Sequence, residues 1–143
     1  MDQPGIDARL RMKIGDIETI GRPACLGMLR YAANLHAQST RPAMDPFPHP
    51  WEEIGPGYCY GPAFGHWDIV HAILDTLPFD PGHAFDQIEN LLALQRDDGM
   101  FPGAVWIRGG RAHLTTEVTH PPLWPMAVQD YVDRQGPAIL PKA

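Results

Sequence analysis

Three segments hold most of the residues in this 143-residue chain that could do chemistry. The first runs from Tyr58 through Tyr60, Gly65 and His66 to Trp67-Asp68. The second runs from Gln95 through Asp97-Asp98-Gly99 to Trp106, and the third is Thr119-His120-Pro121-Pro122-Leu123-Trp124-Pro125. Together they supply indole faces, carboxylates and imidazoles, a set that suits a carbohydrate. A sugar ring presents C–H faces that stack on indole, and hydroxyls that pair with acids and imidazoles. Asp68 falls at the start of an expected helix, where the macrodipole favours its anionic, accepting form. Proline and glycine around these residues pre-form the loops and lower the entropic cost of binding.

These residues have other readings. Trp67 at a helix start also suits a core anchor, Asp68 a helix N-terminal acid, and Asp97-Asp98-Gly99 a solvated helix end. His120 could serve only as a neighbour of a helix cap. His66, His71, His113, His120 and Glu117 invite a metal reading, but His66 and His71 lie five apart, unlike the i, i+4 pair of a His-Glu-x-x-His site. No metal and no cofactor is expected. Cys59 lies near His66 without any motif to orient a nucleophile.

The elements that must position the three segments read as helices, with no convincing strand. A first helix is expected from about Gly21 to Ala37, with a possible earlier turn from Ile14 to Ile20. Pro23 stands near its start, and Leu26, Leu29, Ala33 and Ala37 form its apolar stripe. A loop from Ser39 to about Pro62 carries Pro42, Pro46, Pro48, Pro50 and Pro56. Its aromatic residues Phe47, Trp51, Tyr58 and Tyr60 favour a packed, functional loop. A second helix is expected from Phe64 to Leu77. A third is capped by Asp80, opened by Pro81 and closed by Asp98-Gly99. The two form an antiparallel helical hairpin with a very short turn. An irregular stretch from Met100 to Glu117 follows. A fourth helix is then expected with Thr119 as cap and Pro121-Pro122 at its opening, and the tail from Gly136 reads as frayed. Tight turns collect at one end of such an arrangement and long loops at the other, so the loop end is the candidate binding face.

With 44% hydrophobic and 20% charged residues, the chain supports one domain, its core at about 21–135, and a disordered middle is not expected. The formal net charge of −6, without a basic run, argues against nucleic acid or an anionic membrane as partner. Cys25 and Cys59 form no metal or redox motif and read as two buried, reduced thiols, with a disulfide between them as the alternative. The first residues show no secretory leader, and no apolar run approaches the roughly 20 residues of a membrane span, so a cytoplasmic protein is expected.

The order Trp67-Asp68, then Gln-x-x-Asp-Gly-x-x-Pro (Gln95 to Pro102), then Thr-His-Pro-Pro (Thr119 to Pro122) resembles the N-terminal half of trehalases, processing α-glucosidases and mannosylglycerate hydrolases. The resemblance covers roughly Leu29 to Tyr131. It implies an all-α fold of antiparallel helical hairpins, part of the α/α toroid of six-hairpin glycosidases. It also implies that Trp67 and Asp68 contact the innermost sugar, with His120 beside them and Tyr58, Tyr60 and Trp106 lining the site. Glu117-Val118-Thr119-His120 stands where trehalases carry an Arg-Ser pair, which argues against trehalose as substrate. In these inverting hydrolases a general acid and a general base flank the bond. Both come from later hairpins that this chain does not match, so Asp68, Asp97, Asp98 and Glu117 are given no catalytic role. The expectation is a glycoside hydrolase-like domain that acts on or binds α-linked glucosides or mannosides, as an incomplete barrel completed by further hairpins or partner chains. A homo-oligomer or a fragment of a larger chain follows from exposed helix faces. The alternative is a non-catalytic carbohydrate-binding or oligomerising helical module.

Overall fold

The computed structural model describes residues 22–54 and 62–136. A single 3₁₀ turn, Pro23–Cys25, leads into α1, Leu26–Ser39. Two short strands follow, β1 Thr40–Arg41 and β2 Trp51–Glu52, and then β3 Ala63–Gly65 runs directly into α2, His66–Thr76. A tight turn joins α2 to α3, Pro81–Leu92. Strands β4, Ala104–Arg108, and β5, Arg111–Leu114, precede α4, Trp124–Gln135.

The all-α expectation, and with it the partial α/α toroid, is overturned. Strands β1 and β2 form an antiparallel pair, and β3, β4 and β5 form a three-stranded antiparallel sheet in that order. The physical reason lies in the stretch from Met100 to Glu117, read above as irregular. Val105, Trp106 and Ile107 are strand formers, and Gly109-Gly110 supplies a two-residue turn with φ of 57° and 74° at its two positions. Positive φ at both centres is the type I′ turn whose twist matches a hairpin, and glycine adopts it without steric cost. Phe64, expected inside a helix, lies instead in β3 opposite Val105.

The helices were better anticipated. The third helix starts as expected, with Asp80 Oδ1 accepting from His83 N–H at 3.0 Å and Pro81 in the first turn. It ends at Leu92 rather than near Asp98, because the chain from Ala93 onward turns back towards β4. The fourth helix begins at Trp124, later than expected: Pro125 rather than Pro121-Pro122 occupies its first turn, and Leu123 is the cap. The first helix is shifted to Leu26–Ser39, and Leu26 and Leu29 of its expected stripe are only half-buried. Ile14 to Ile20 and the tail after Gly136 lie outside the described residues.

One core joins helices and sheet. Ile69, Val70, Ile73 and Leu77 of α2 pack with Ala84, Ile88 and Leu91 of α3, Phe64 and Val105 of the sheet, and Ala127 and Tyr131 of α4. The proline-rich loop contributes as well. Phe47 and Trp51 are each 2% exposed, their rings stack at 5.0 Å, and Phe47 meets Phe64 at 4.9 Å. Met28, Tyr31 and Leu35 of α1 remain exposed on one side of that helix.

Candidate functional site

Three consecutive residues open α2, and a helix turns each side chain about 100° from the last. His66 points inward at 2% exposure, Trp67 outward at 38%, and Asp68 to the opposite side from His66. The stretches around them hold this turn in place. His66 N–H donates to Gly103 O at 3.0 Å, and Trp67 N–H donates to His120 Nδ1 at 3.1 Å. Two amides that a helix start leaves without an internal partner are thereby satisfied by the second and third sequence segments.

Asp68 lines a groove of about 200 Å³, together with Glu53, His71, Asp75 and His36. Its carboxylate lies back over Gly65, where a Cβ would collide with Asp68 Oδ2. The indole of Trp67 stands 5.9 Å from the ring of His71, a groove residue, but does not itself line the groove. A different cavity, of about 250 Å³, takes His66 with Phe101, Thr119, His120 and Trp124.

The structure thus brings the three sequence segments together at one end of α2. It separates two of the expected site residues: Asp68 belongs to the groove, whereas His120 belongs to the His66 cavity and touches Trp67 through the backbone. Trp106 is in β4, half-buried, with its Nε1 donating to Thr115 Oγ1 at 3.0 Å, and it lines neither opening. Tyr58 and Tyr60 lie outside the described residues, as does Cys59; Cys25 is a free thiol at the start of α1. Among the described residues no group of three or more His, Cys, Asp or Glu side chains is placed to hold a metal ion.

Beneath the groove is a buried network that sequence reasoning missed. Glu52, 6% exposed, lies between two imidazoles, with His36 Nδ1 2.5 Å from Oε1 and His83 Nε2 2.9 Å from Oε2. Burial pushes the Glu52 carboxyl up, but the hydrogen bonds and charges of His36 and His83 outweigh it and leave the pKa below its ordinary value. Burial likewise lowers His36, yet the Glu52 hydrogen bond and charge, with Asp75 adding to them, leave its pKa raised. The far nitrogen of His36 is 3.9 Å from Asp75 Oδ2 on the groove wall.

Strand β2 is held by α3. Gln87 accepts from Glu52 N–H at 2.9 Å and donates to Pro50 O at 2.9 Å, while Asn90 accepts from His49 N–H at 3.0 Å. His83, Gln87 and Asn90 fall at helical spacing on one face of α3 and are all buried. That polar stripe at helical spacing, beside the apolar stripe of Ala84, Ile88 and Leu91, was the signal available in the sequence. Glu53 is engaged by Arg41. Of the four carboxylates on the groove, Glu52 and Glu53 are tied to internal partners, Asp75 approaches His36 from an exposed position, and Asp68 is exposed.

Comparison of the chain with family models, with curated proteins and with solved structures returned no match.

Proposed function

We propose that this chain binds an α-linked glucoside or mannoside at the groove beside Trp67 and Asp68, as the carbohydrate-recognising part of a glycoside hydrolase-like protein. One observation carries the reading: an exposed indole stands next to a carboxylate that lines a groove with room for a single sugar ring. An exposed indole 5.9 Å from the groove residue His71 offers a stacking face to a ligand with C–H faces. Asp68 and Asp75 can each accept a hydrogen bond from a hydroxyl, at separate places along the groove, and His71 can donate or accept. The backbone bonds from Gly103 and His120 fix the turn before a ligand arrives, which lowers the ordering cost. No side chain is assigned as general acid or base, so binding rather than turnover is the primary property.

Calorimetric titration with methyl α-D-glucopyranoside, methyl α-D-mannopyranoside, maltose and trehalose tests this, with reducing-sugar release followed in parallel. Saturable binding by a glucoside or mannoside is expected, weakened about tenfold or more in both Trp67→Ala and Asp68→Asn. Hydrolysis lost in Asp68→Asn would add an enzymatic role. Absence of binding across the panel by the folded protein would overturn the reading.

A further inference from the structure

The two nitrogens of His36 meet different surroundings. Nδ1 lies 2.5 Å from the buried Glu52 carboxylate, and Nε2 lies 3.9 Å from Asp75 Oδ2. The second distance is that of an ion pair, too long for a hydrogen bond, and Nε2 forms no hydrogen bond among the described residues. Nor is it sealed off. Both nitrogens of His66 are buried polar atoms shut away without a partner, whereas His36 Nε2 is not such an atom. His36 and Asp75 both line the groove, so Nε2 opens on it.

The imidazole is held from behind. Glu52 meets His36 through one carboxylate oxygen and His83 through the other, while its backbone N–H donates to Gln87. A carboxylate only accepts, so Nδ1 of His36 carries a proton in either charge state. Nε2 is then a donor when the ring is charged and an acceptor when it is neutral. Burial lowers the His36 pKa, but Glu52 and Asp75 outweigh it, so the ring is mostly charged at pH 6.5.

Proton count decides what fits between Nε2 and Asp75. An oxygen about 2.8 Å from each atom spans a 3.9 Å gap with a normal hydrogen bond on either side. A hydroxyl has one proton to give. Beside a charged His36 it accepts from Nε2–H and donates to Asp75, and both groups are satisfied. Beside a neutral His36 it faces two acceptors and satisfies only one. An ammonium group, with several protons to give, has the opposite preference.

We infer that His36 and Asp75 form a hydroxyl clasp in the groove, taking one sugar hydroxyl between Nε2 and Oδ2, with Glu52 as the residue that positions the imidazole. The ligand class rests on the saccharide reading of the groove, and the clasp makes binding there depend on the proton of His36. Glu52 of β2 and Asp75 of α2 face that ring directly, with His83 of α3 behind Glu52. Asp68, His71 and the Arg41-paired Glu53 line the rest of the groove. Asp75 follows Asp68 by seven residues, about 10 Å along the helix axis, so the clasp lies two turns away from Trp67-Asp68.

Titration of the full chain with methyl α-D-glucopyranoside, methyl α-D-mannopyranoside and maltose tests the clasp. The side-chain ¹⁵N signals of His36 and the indole signals of Trp67 are followed between about pH 5.5 and 8, where the carboxylates stay ionised. Saturable movement of both is expected. Affinity should fall about tenfold or more as His36 loses its proton, and the His36 pKa should be higher in the bound protein. Asp75→Ala, at an exposed position, should weaken binding about tenfold. It should also reduce the pH dependence, because a neutral Nε2 can then take the hydroxyl proton itself. Affinity that is flat or rises with pH overturns the hydroxyl clasp. Movement of Trp67 with His36 unchanged overturns the clasp and leaves the saccharide reading. Movement of His36 with Trp67 unchanged supports the clasp and overturns the part of that reading that rests on the indole. No movement of either overturns both.

Discussion

At Glu52 two histidines from different helices converge on one carboxylate, so its charge state bears on how α1, β2 and α3 are held together. Its folded pKa lies below the ordinary 4.5, so the stability it contributes is present above that value and lost as pH falls through the lower folded one. His36 is shifted the other way, above its ordinary 6.5. Its contribution is complete below 6.5 and lost as pH rises through the raised folded value. Both contributions are in place together between 4.5 and 6.5. Urea midpoints measured across that range should therefore peak inside it and fall on both sides. Glu52→Gln should lower stability by about 3 kcal/mol at the peak and flatten the profile. A variant profile as curved as the wild type would show that other groups set the pH dependence. Only part of this was legible at the residue scale. Trp67 and Asp68 announce themselves by type and by position at a helix start. Glu52 does not, because its partners lie 16 and 31 residues away and only the fold brings them near.

Among the elements, the β4–β5 hairpin depends on two glycines and α3 on a polar stripe. Gly109 and Gly110 both hold positive φ, which a β-branched side chain adopts only under strain. Gly110→Val should cost about 1–3 kcal/mol, seen as a lower thermal midpoint, whereas Gly109→Asn should cost clearly less because asparagine tolerates the left-handed region. Equal losses from the two variants would contradict the assigned turn. This hairpin could have been read from Arg108-Gly109-Gly110-Arg111 flanked by Val105-Trp106-Ile107 and Ala112-His113-Leu114. The helical spacing elsewhere and the likeness to an all-helical family outweighed that local signal. The short strands β1, β2 and β3 gave less warning. Two or three residues carry no usable alternation, and their pairing partners are fixed by the packing of Trp51, Phe64 and Val105 rather than by propensity.

For the molecule as a whole, the decisive point is that sheet and helices share one core. Phe64 is 1% exposed and touches the loop through Phe47 while pairing in register with Val105. Phe64→Ala should cost about 3–5 kcal/mol through lost burial and the cavity left behind. Amide exchange should show Val105 in the sheet and Ile73 in α2 losing protection at the same urea concentration. Separate transitions would mean that the sheet is an independent unit. The sequence carries the long-range part of this architecture poorly, since Ala63–Gly65 pairs with residues some forty positions later. Apolar periodicity located the helices, but the strand that completes the core begins inside what looks like a helix start.

The first turn of α2 has one more consequence. The N-terminus of a helix ordinarily attracts phosphate, through unpaired amides and the positive end of the dipole. Here the amides of His66 and Trp67 are already engaged by Gly103 and His120, and the Asp68 carboxylate sits in the same turn. Two of the donors at this helix end are thus occupied by the chain itself. An anion approaching this turn would meet a negative charge and two occupied donors.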